Sequence, residues 1–464
     1  MIARCLLPAT LALALTGCAL GPNYRRPKID LPAQYRGAPD AAQAKSLAEV
    51  KWFDLFQDET LKQLLDSALK SNFDLRIAAE RVLEARAQLG IQRSGQFPEL
   101  NAAGSFDAAR VSRIGAFPAN GQNLDASYTL AGFSLNWELD IWGRLRRLTE
   151  AARAEYLASE EVRHGVITTL LSDVTSTYFR LRELDLELAI SQQTREIADR
   201  GLSLTRLRRT RGVGTGLDVK QAEQLLYSAT VQIAATRQAI EQTENALSQL
   251  LGSNPRAIDR GRPLDEIAGP TEVPPGLAST ILERRPDIRG AELTLIAANA
   301  EIGAAKAQYF PQISLTGFLG GESRSLSDLL TGPARQWSVA PAAVLPIFNA
   351  GRIRSGVKLT EAKKREAALT YERVIQNAFR EVSDALAAYT RIREERDQQE
   401  DLVNALRESG RLSRLRYEGG MDSYLQVLDA ERNTFQGELT LARIKRDQLL
   451  SVVDLYRALG GGWE

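Results

Sequence analysis

Small and apolar residues recur at alternating steps of three and four along one stretch: Val219, Ala222, Leu226, Ala229, Ile233, Thr236, Ile240, Thr243, Leu247 and Leu250. That spacing keeps one face of an α-helix turned toward a partner, as in a coiled coil. A later stretch repeats it less strictly as Val427, Ala430, Thr434, Gly437, Leu441, Ile444, Gln448, Ser451, Leu455 and Ala458. The later stretch also carries an offset seam, Leu425, Leu428, Arg432, Phe435, Leu439, Ala442, Arg446, Leu449, Val453 and Tyr456. One seam implies one neighbour; two offset seams let a helix sit in a wall between two. A soluble helical bundle with a broad apolar face is the plainer alternative. Elsewhere the period changes to two. Phe133 to Ile141 alternates apolar and polar residues, which predicts a strand with one face in an apolar medium. Its counterpart runs from Trp337 through Val339, Ala343 and Leu345 to Ile347 and is interrupted by Pro341. Partner strands are expected from Phe97-Pro98 to about Val111 and from Phe310-Pro311 to about Glu322, with polar tips near 112–126 and 323–336 holding Gly115, Pro118, Gly121, Gly332 and Pro333.

These elements come twice. Leu207-Arg208, Leu217, Val219, Ala222-Glu223 and Leu251-Gly252 return 208 residues later as Leu415-Arg416, Leu425, Val427, Ala430-Glu431 and Leu459-Gly460. Asp74, Gly90, Phe97-Pro98 and Gly104 return as Asp287, Gly303, Phe310-Pro311 and Gly317, at an offset of 213. Leu148-Thr149-Glu150-Ala151 and Tyr178 return as Leu359-Thr360-Glu361-Ala362 and Tyr389. So long a period implies two pseudo-symmetric halves rather than a solenoid. None of the 17 prolines falls between 119 and 254 or after 346, and proline breaks helix interiors. A helix from about 144 to 210 would span roughly 100 Å at ~1.5 Å per residue. Each long arm turns back at Arg211-Gly212-Val213-Gly214 or Glu418-Gly419-Gly420-Met421. Thr215-x-x-Asp218 and Ser423-x-x-Gln426 then read as capping signals for the return helices.

The first residues set the compartment. Arg4, the apolar run Leu6 to Leu15 and Leu15-Thr16-Gly17-Cys18 read as a leader too short to span a bilayer. The ending is similar to a bacterial lipobox, with Cys18 as the acylated first mature residue; an ordinary signal peptide with an incidental cysteine is the alternative. Ala19 and Leu20 follow, and by resemblance to lipoprotein sorting rules the absence of Asp there favours the outer membrane. The other cysteine, Cys5, leaves with the leader, so no disulfide is expected. A single histidine, His164, leaves little for metal clusters or Ser-His-Asp triads. Beside Arg163 and Gly165, it reads as a solvated surface residue. With 59 Lys and Arg against 58 Asp and Glu, loss of Arg4 leaves the charges balanced, which argues against bulk nucleic-acid binding. Gly212-Val213-Gly214-Thr215-Gly216 lacks the lysine of a phosphate loop. No cofactor, metal or catalytic constellation is expected. Tyr128, Trp137, Trp142 and Trp337 are candidates for interfacial belts, or for ordinary packing.

Four strands cannot close a barrel in lipid, where every backbone group needs a partner. If the hairpins enter the membrane, several copies must pool them; otherwise they form a small sheet on a periplasmic monomer.

Arg285-Pro286-Asp287-Ile288, Ala291-Glu292, Ala297-Ala298-Asn299-Ala300, Ile302-Gly303-Ala304-Ala305-Lys306-Ala307 and Phe310-Pro311-Gln312-Ile313-Ser314-Leu315-Thr316 together strongly resemble the TolC-like outer-membrane factors, in particular the lipoprotein branch that includes OprM and NodT. Leu139-Asp140-Ile141-Trp142-Gly143-Arg144, the lipobox, and Gly21-Pro22-Asn23-Tyr24 with Arg26-Pro27 match as well. The resemblance covers essentially the whole chain. It implies an α+β membrane protein, mainly long α-helices. In a homotrimer, four strands per chain would make one 12-stranded outer-membrane β-barrel, continued by a periplasmic α-helical barrel. It implies a passive exit duct of a tripartite efflux system, with a periplasmic adaptor and an inner-membrane transporter of the resistance-nodulation-division type as partners. The outlet of a type I secretion system is a related alternative; a coiled-coil adaptor lipoprotein would carry one hairpin, not two.

The resemblance further places a periplasmic gate on Asp218, Tyr417, Asp429 and Arg432, and adaptor-docking tips on Gly212, Val213, Gly214, Gly419, Gly420 and Met421. Asp218 is equally an ordinary capping residue, and the tips equally plain turns. The chain departs from its relatives at Glu418, where they carry a basic residue after the tyrosine. The expected layout is a leader at 1–17, an N-terminal segment at 18–60, a first repeat at 61–252, a linker at 253–275, a second repeat at 276–460 and a tail at 461–464.

Overall fold

The computed structural model describes residues 19–32, 34–37, 46–110, 112, 114, 124–267, 269–270 and 274–463. Cys18 with its leader, and Gly115, Pro118 and Gly121 of the first strand tip, lie outside the described residues. The main elements are α1 (Glu59–Ser71), α2 (Phe73–Ser94), β1 (Glu99–Arg110), β2 (Asp125–Leu139), α3 (Arg144–Thr210), α4 (Gly216–Leu250), α5 (Pro286–Ala307), β3 (Gln312–Ser323), β4 (Arg335–Val344), α6 (Arg352–Glu418) and α7 (Tyr424–Ala458). Both proline-free spans hold the long helices: α3 and α6 are each 67 residues long and α4 and α7 each 35, with β2 occupying the start of the first span. No described helix is long and apolar enough to cross a membrane. Two compact units cut across the repeats: residues 1–28, 81–159 and 290–371, and residues 29–80, 160–289 and 372–464.

The first unit holds the sheet. Its order is β1-β2-β3-β4 with every pair antiparallel, so the two hairpins join through β2 and β3. β2 begins at Asp125, eight residues before the alternation that betrays it, because Tyr128 and Leu130 break the pattern. It ends at Leu139, short of Ile141, and β4 ends at Val344, short of Ile347. Pro341 sits inside β4, an edge strand, where a missing N–H is tolerated. Residues directly opposite share a face. One face carries Phe133 beside Leu319 and Ala102, Leu135 beside Leu100, and Trp137 beside Leu315, with Trp337 across from Leu319. The other carries Ser134, Asn136 and Glu138 against Phe318, Thr316 and Ser314. Tyr128 lies on this second face, not with Trp137 and Trp337, while Trp142 lies past β2 and stacks on Phe310 at 4.8 Å. The backbones of β2 and β3 approach closely where Gly132 meets Gly320. A Cβ on Gly320 would stand 2.3 Å from the Ala131 carbonyl oxygen and 2.7 Å from the Gly132 Cα. Phe318 lays its ring over both glycines on the polar face.

The same unit binds the segment from Leu20 to Arg26. Arg147, whose side chain is 6% exposed, donates to the carbonyls of Leu20 (3.0 Å) and Gly21 (3.4 Å) and to Asn23 Oδ1 (2.9 Å). Glu292 accepts from Tyr24 (2.9 Å) and twice from Arg26 (2.7 and 2.6 Å). Asn299 donates to the Pro22 carbonyl at 2.8 Å, and Leu20 N–H to the Trp142 carbonyl at 3.1 Å. Beneath, Ala151, Ala154, Ala297 and Ala300 form a small-residue seam that lets α3 and α5 approach closely.

The second unit is a layered helical core. On α4, Val219, Ala222, Ala229, Ile233, Thr236 and Leu247 of the expected seam are buried. On α7 both seams are buried: Val427, Ala430, Gly437, Leu441 and Ile444 of one, Phe435, Leu439, Ala442, Leu449 and Val453 of the other. Two neighbours per helix is therefore what α7 has over most of its length. Two ion pairs on buried carboxylates join α3 to α7: Arg446 reaches Glu183 at 2.6 Å and the half-exposed Arg443 reaches Glu187 at 3.0 Å. Burial pushes the Glu183 carboxyl above its ordinary range, opposed by Arg446 and Arg180. Asp58 caps α1 and also accepts from the Tyr178 hydroxyl at 2.8 Å. His164 is not freely solvated. Its ring stacks on Trp463 at 4.6 Å and its Nδ1 lies 3.3 Å from Glu161, because the C-terminal segment folds back over α3.

Candidate functional site

The residues singled out from the sequence lie mainly at the turns of the two long hairpins, α3–α4 and α6–α7, in the second unit. Both turns are built alike. Gly212 and Gly420 take φ of +75° and +72°, the left-handed conformation that ends a helix, and Val213 and Met421 donate back to Arg208 and Arg416 carbonyls at 3.0 and 2.9 Å. Equivalent ion pairs close each hairpin higher up: Arg206 with Glu223 at 3.3 Å, and Arg414 with Glu431. The expected docking tips, Gly212 to Gly214 and Gly419 to Met421, are thus ordered turns with Val213 and Met421 presented to solvent.

The gate candidates fall into two groups. Asp218 forms a full capping box: it receives the Thr215 N–H at 2.8 Å while the Thr215 hydroxyl receives its own N–H at 3.1 Å. Its second-repeat counterpart behaves differently. Ser423 makes no side-chain cap, because the Gln426 N–H goes to the Ser423 carbonyl instead, at 3.2 Å. Tyr417 is buried in a cluster with Leu202, Val219, Ala222, Tyr424 and Val427. Its ring meets Tyr424 edge-on at 5.2 Å and Arg208 lies over it at 4.7 Å. Burial pushes the Tyr417 phenol above its ordinary value, with Arg208 opposing and Asp218 adding to the push. Asp218 and Tyr417 therefore share one neighbourhood. Asp429 and Arg432 form the other group, an exposed i,i+3 pair at 3.3 Å on α7, with Asn433 donating to Asp429 at 3.2 Å.

Three residues of this region escaped the sequence reading: Arg208, Tyr424 and Asp422. Tyr424 packs under Tyr417, and burial pushes its phenol up to about 12. Asp422 receives Arg416 at 2.5 and 3.1 Å. The repeat alignment held the signal for two of them, since Arg208 and Arg416 are equivalent whereas Gly214 stands where the second repeat has Asp422.

Nothing in this arrangement is a reaction centre; it is a pair of charged, tyrosine-packed helix ends. The model of the outer membrane efflux protein family matches residues 64–253 and 277–461, the two repeats in turn. The chain belongs to the outer membrane efflux protein family. It is 40% identical over 465 residues to the solvent efflux pump outer membrane protein SrpC of Pseudomonas putida, covering 98% of each chain. To the cation efflux system protein CusC of Escherichia coli it is 36% identical, covering 99% of each. The solved structure of the outer-membrane channel OprN superposes with a TM-score of 0.88 at 30% identity, over 96% of this chain and 100% of that one. As a member of the outer membrane efflux protein family, the chain is an efflux channel of the outer membrane, and its long helices with a single four-stranded sheet are the family's fold.

Proposed function

We propose that three copies of this chain pool their sheets into one twelve-stranded barrel in the outer membrane, forming a passive exit duct that an adaptor and an energised inner-membrane transporter complete. The observation that carries this reading is the sheet itself. It has four strands, one apolar face, one more polar face, and outer edges on β1 and β4 with no partner among the described residues. Lipid tolerates no open edge, and membrane barrels of this kind begin at eight strands. β1 and β4 are antiparallel to each other, so a rotated copy can pair its β1 with this β4. Cys18 carries the lipid in this reading, and the bonds from Arg147 and Glu292 hold its downstream segment in place. The names of the relatives, solvent efflux for one and cation efflux for another, support a duct that leaves cargo choice to its partners. No catalytic step falls to any residue. Cross-linking and sizing of the detergent-solubilised protein test the assembly: a dissociation-resistant trimer is expected, and a monomer would end the proposal.

At the periplasmic end, Asp218, Tyr417, Asp429 and Arg432 form the gate, and the turns at 212–214 and 419–421 dock the adaptor. Copies of Asp218 and Asp429 around an axis would make carboxylate rings that attract cations and strain the closed state. Replacing both with Asn should leave folding intact and raise leak conductance in planar bilayers. Unchanged conductance in that double variant removes the gate assignment. Deletion with compound-accumulation assays, and identification of the co-purifying transporter, would name the cargo.

A further inference from the structure

The two hairpin tips are built from equivalent residues, yet one equivalent pair behaves differently. In the second repeat, Arg416 is tied to its own turn by two bonds to Asp422, at 2.5 and 3.1 Å. In the first repeat the acid's place is taken by Gly214, and Arg208 has no carboxylate to bind in its own turn. Arg208 crosses to the other hairpin instead. Its guanidinium lies 4.7 Å from the Tyr417 ring and donates to the last carbonyls of α6, Tyr417 at 3.3 Å and Glu418 at 3.5 Å. The Tyr417 carbonyl also accepts from the Gly420 N–H at 3.0 Å, so Arg208 shares it with the turn, and the end of a helix dipole favours a cation there. A side chain at 214 would stand 3.1 Å from the Arg208 Cβ, so glycine both withholds the acid and leaves room for the arginine. The ion pairs higher up, Arg206–Glu223 and Arg414–Glu431, stay within their own hairpins in both repeats. The Arg208 position breaks the symmetry, and it breaks it toward the other tip.

We propose that Arg208 is a positioning residue that clasps the α3–α4 tip to the α6–α7 tip, holding Tyr417 in place and keeping the duct's periplasmic end closed. This rests on the reading of that end as a gate. The link is poised rather than saturated: Arg208 Nε and the Tyr417 hydroxyl are buried without a hydrogen-bond partner. Buried polar groups left unpaired weaken a packed arrangement, so the joined state gives way more readily than an apolar contact would.

The symmetry break supplies its own test. Gly214→Asp restores the acid that the second repeat has and should draw Arg208 back into its own turn; Gly214→Asn adds the same bulk without the charge. In the full-length lipoprotein, two readouts are taken: hydrogen exchange of the amides at 417–421, and conductance in planar bilayers. Gly214→Asp is expected to speed exchange and raise conductance well beyond Gly214→Asn, and Arg208→Ala to match it. Arg208→Lys, which keeps the charge but loses the planar stacking group, should fall between Arg208→Ala and the parent. Should Gly214→Asp fail to assemble, the two Arg208 variants decide: equality of Arg208→Ala with the parent in exchange overturns the clasp. Equal behaviour of Gly214→Asp and Gly214→Asn overturns it too. Faster exchange with unchanged conductance overturns its role in closure, whereas failure of the gate reading itself shows in the Asp218→Asn, Asp429→Asn double variant.

Discussion

Arg147→Ala is the most direct probe of how the N-terminal segment is held. The guanidinium is nearly sealed from water and gives three bonds to the segment after Cys18, to Leu20, Gly21 and Asn23, plus one to Glu150 at 2.8 Å. Hydrogen bonds from a charged donor are each worth about 1.5–3 kcal/mol when well formed. The Gly21 bond is long at 3.4 Å, so two good bonds and a weak one set the loss. That amounts to roughly 3–5 kcal/mol of docking free energy, or about a hundredfold to several thousandfold in the open fraction at 1.4 kcal/mol per decade. The reporter is built in: the Leu20 N–H is bonded to the Trp142 carbonyl and becomes exchangeable when the segment lifts. Hydrogen-exchange mass spectrometry of the purified protein should show that amide accelerating by about two decades or more, while amides within α5 keep their protection. Glu292→Gln weakens the Tyr24 and Arg26 anchor instead and should leave Leu20 closer to the parent value. Protection of Leu20 within tenfold of the parent in Arg147→Ala would show that the arginine does not hold the segment.

Three other outcomes follow from described contacts. Gly320→Ala should block barrel assembly, because its Cβ would lie 2.3 Å from the Ala131 carbonyl oxygen and the backbone has to move; a heat-resistant oligomer unchanged on gels would contradict this. Arg416 holds the Asp422 carboxyl below its ordinary value. A depressed acid contributes stability that is present above its unfolded pKa and lost as pH falls through the folded one. Amides at 419–421 should therefore exchange faster, relative to their intrinsic rates, only as pH drops below the usual aspartate range, and Asp422→Asn should show the faster rate at neutral pH. Tyr178→Phe removes the hydroxyl bonded to buried Asp58 and should destabilise the second unit by roughly 1–3 kcal/mol, read as a lower thermal midpoint.

Much of the architecture was legible because it is periodic. Proline placement located the two longest helices, and the three-four spacing picked the buried faces of α4 and most of α7. Local chemistry was less so. Ser423 reads as a cap but is not one, since the competing backbone bond leaves no trace in residue order. β2 extends to Asp125 through Tyr128 and Leu130, whose side chains break the alternation and whose pairing with β1 is a long-range fact. His164 looked solvated because nothing nearby in sequence announces Trp463. The tip candidates were found as turns, while Arg208 passed unnoticed: its importance lies in what Gly214 lacks, and an absence shows only when one half is laid on the other.

The antiparallel order of the sheet has a consequence for stoichiometry. Any number of identical chains could be stitched edge to edge without a single mismatched strand, since each new β1 meets a β4 of opposite direction. Backbone bonding alone therefore does not count subunits. The count falls to curvature, and where Gly132 meets Gly320 the lack of side chains is what lets the two backbones come so near. A methyl group at either position would push that stretch of wall out of its present course.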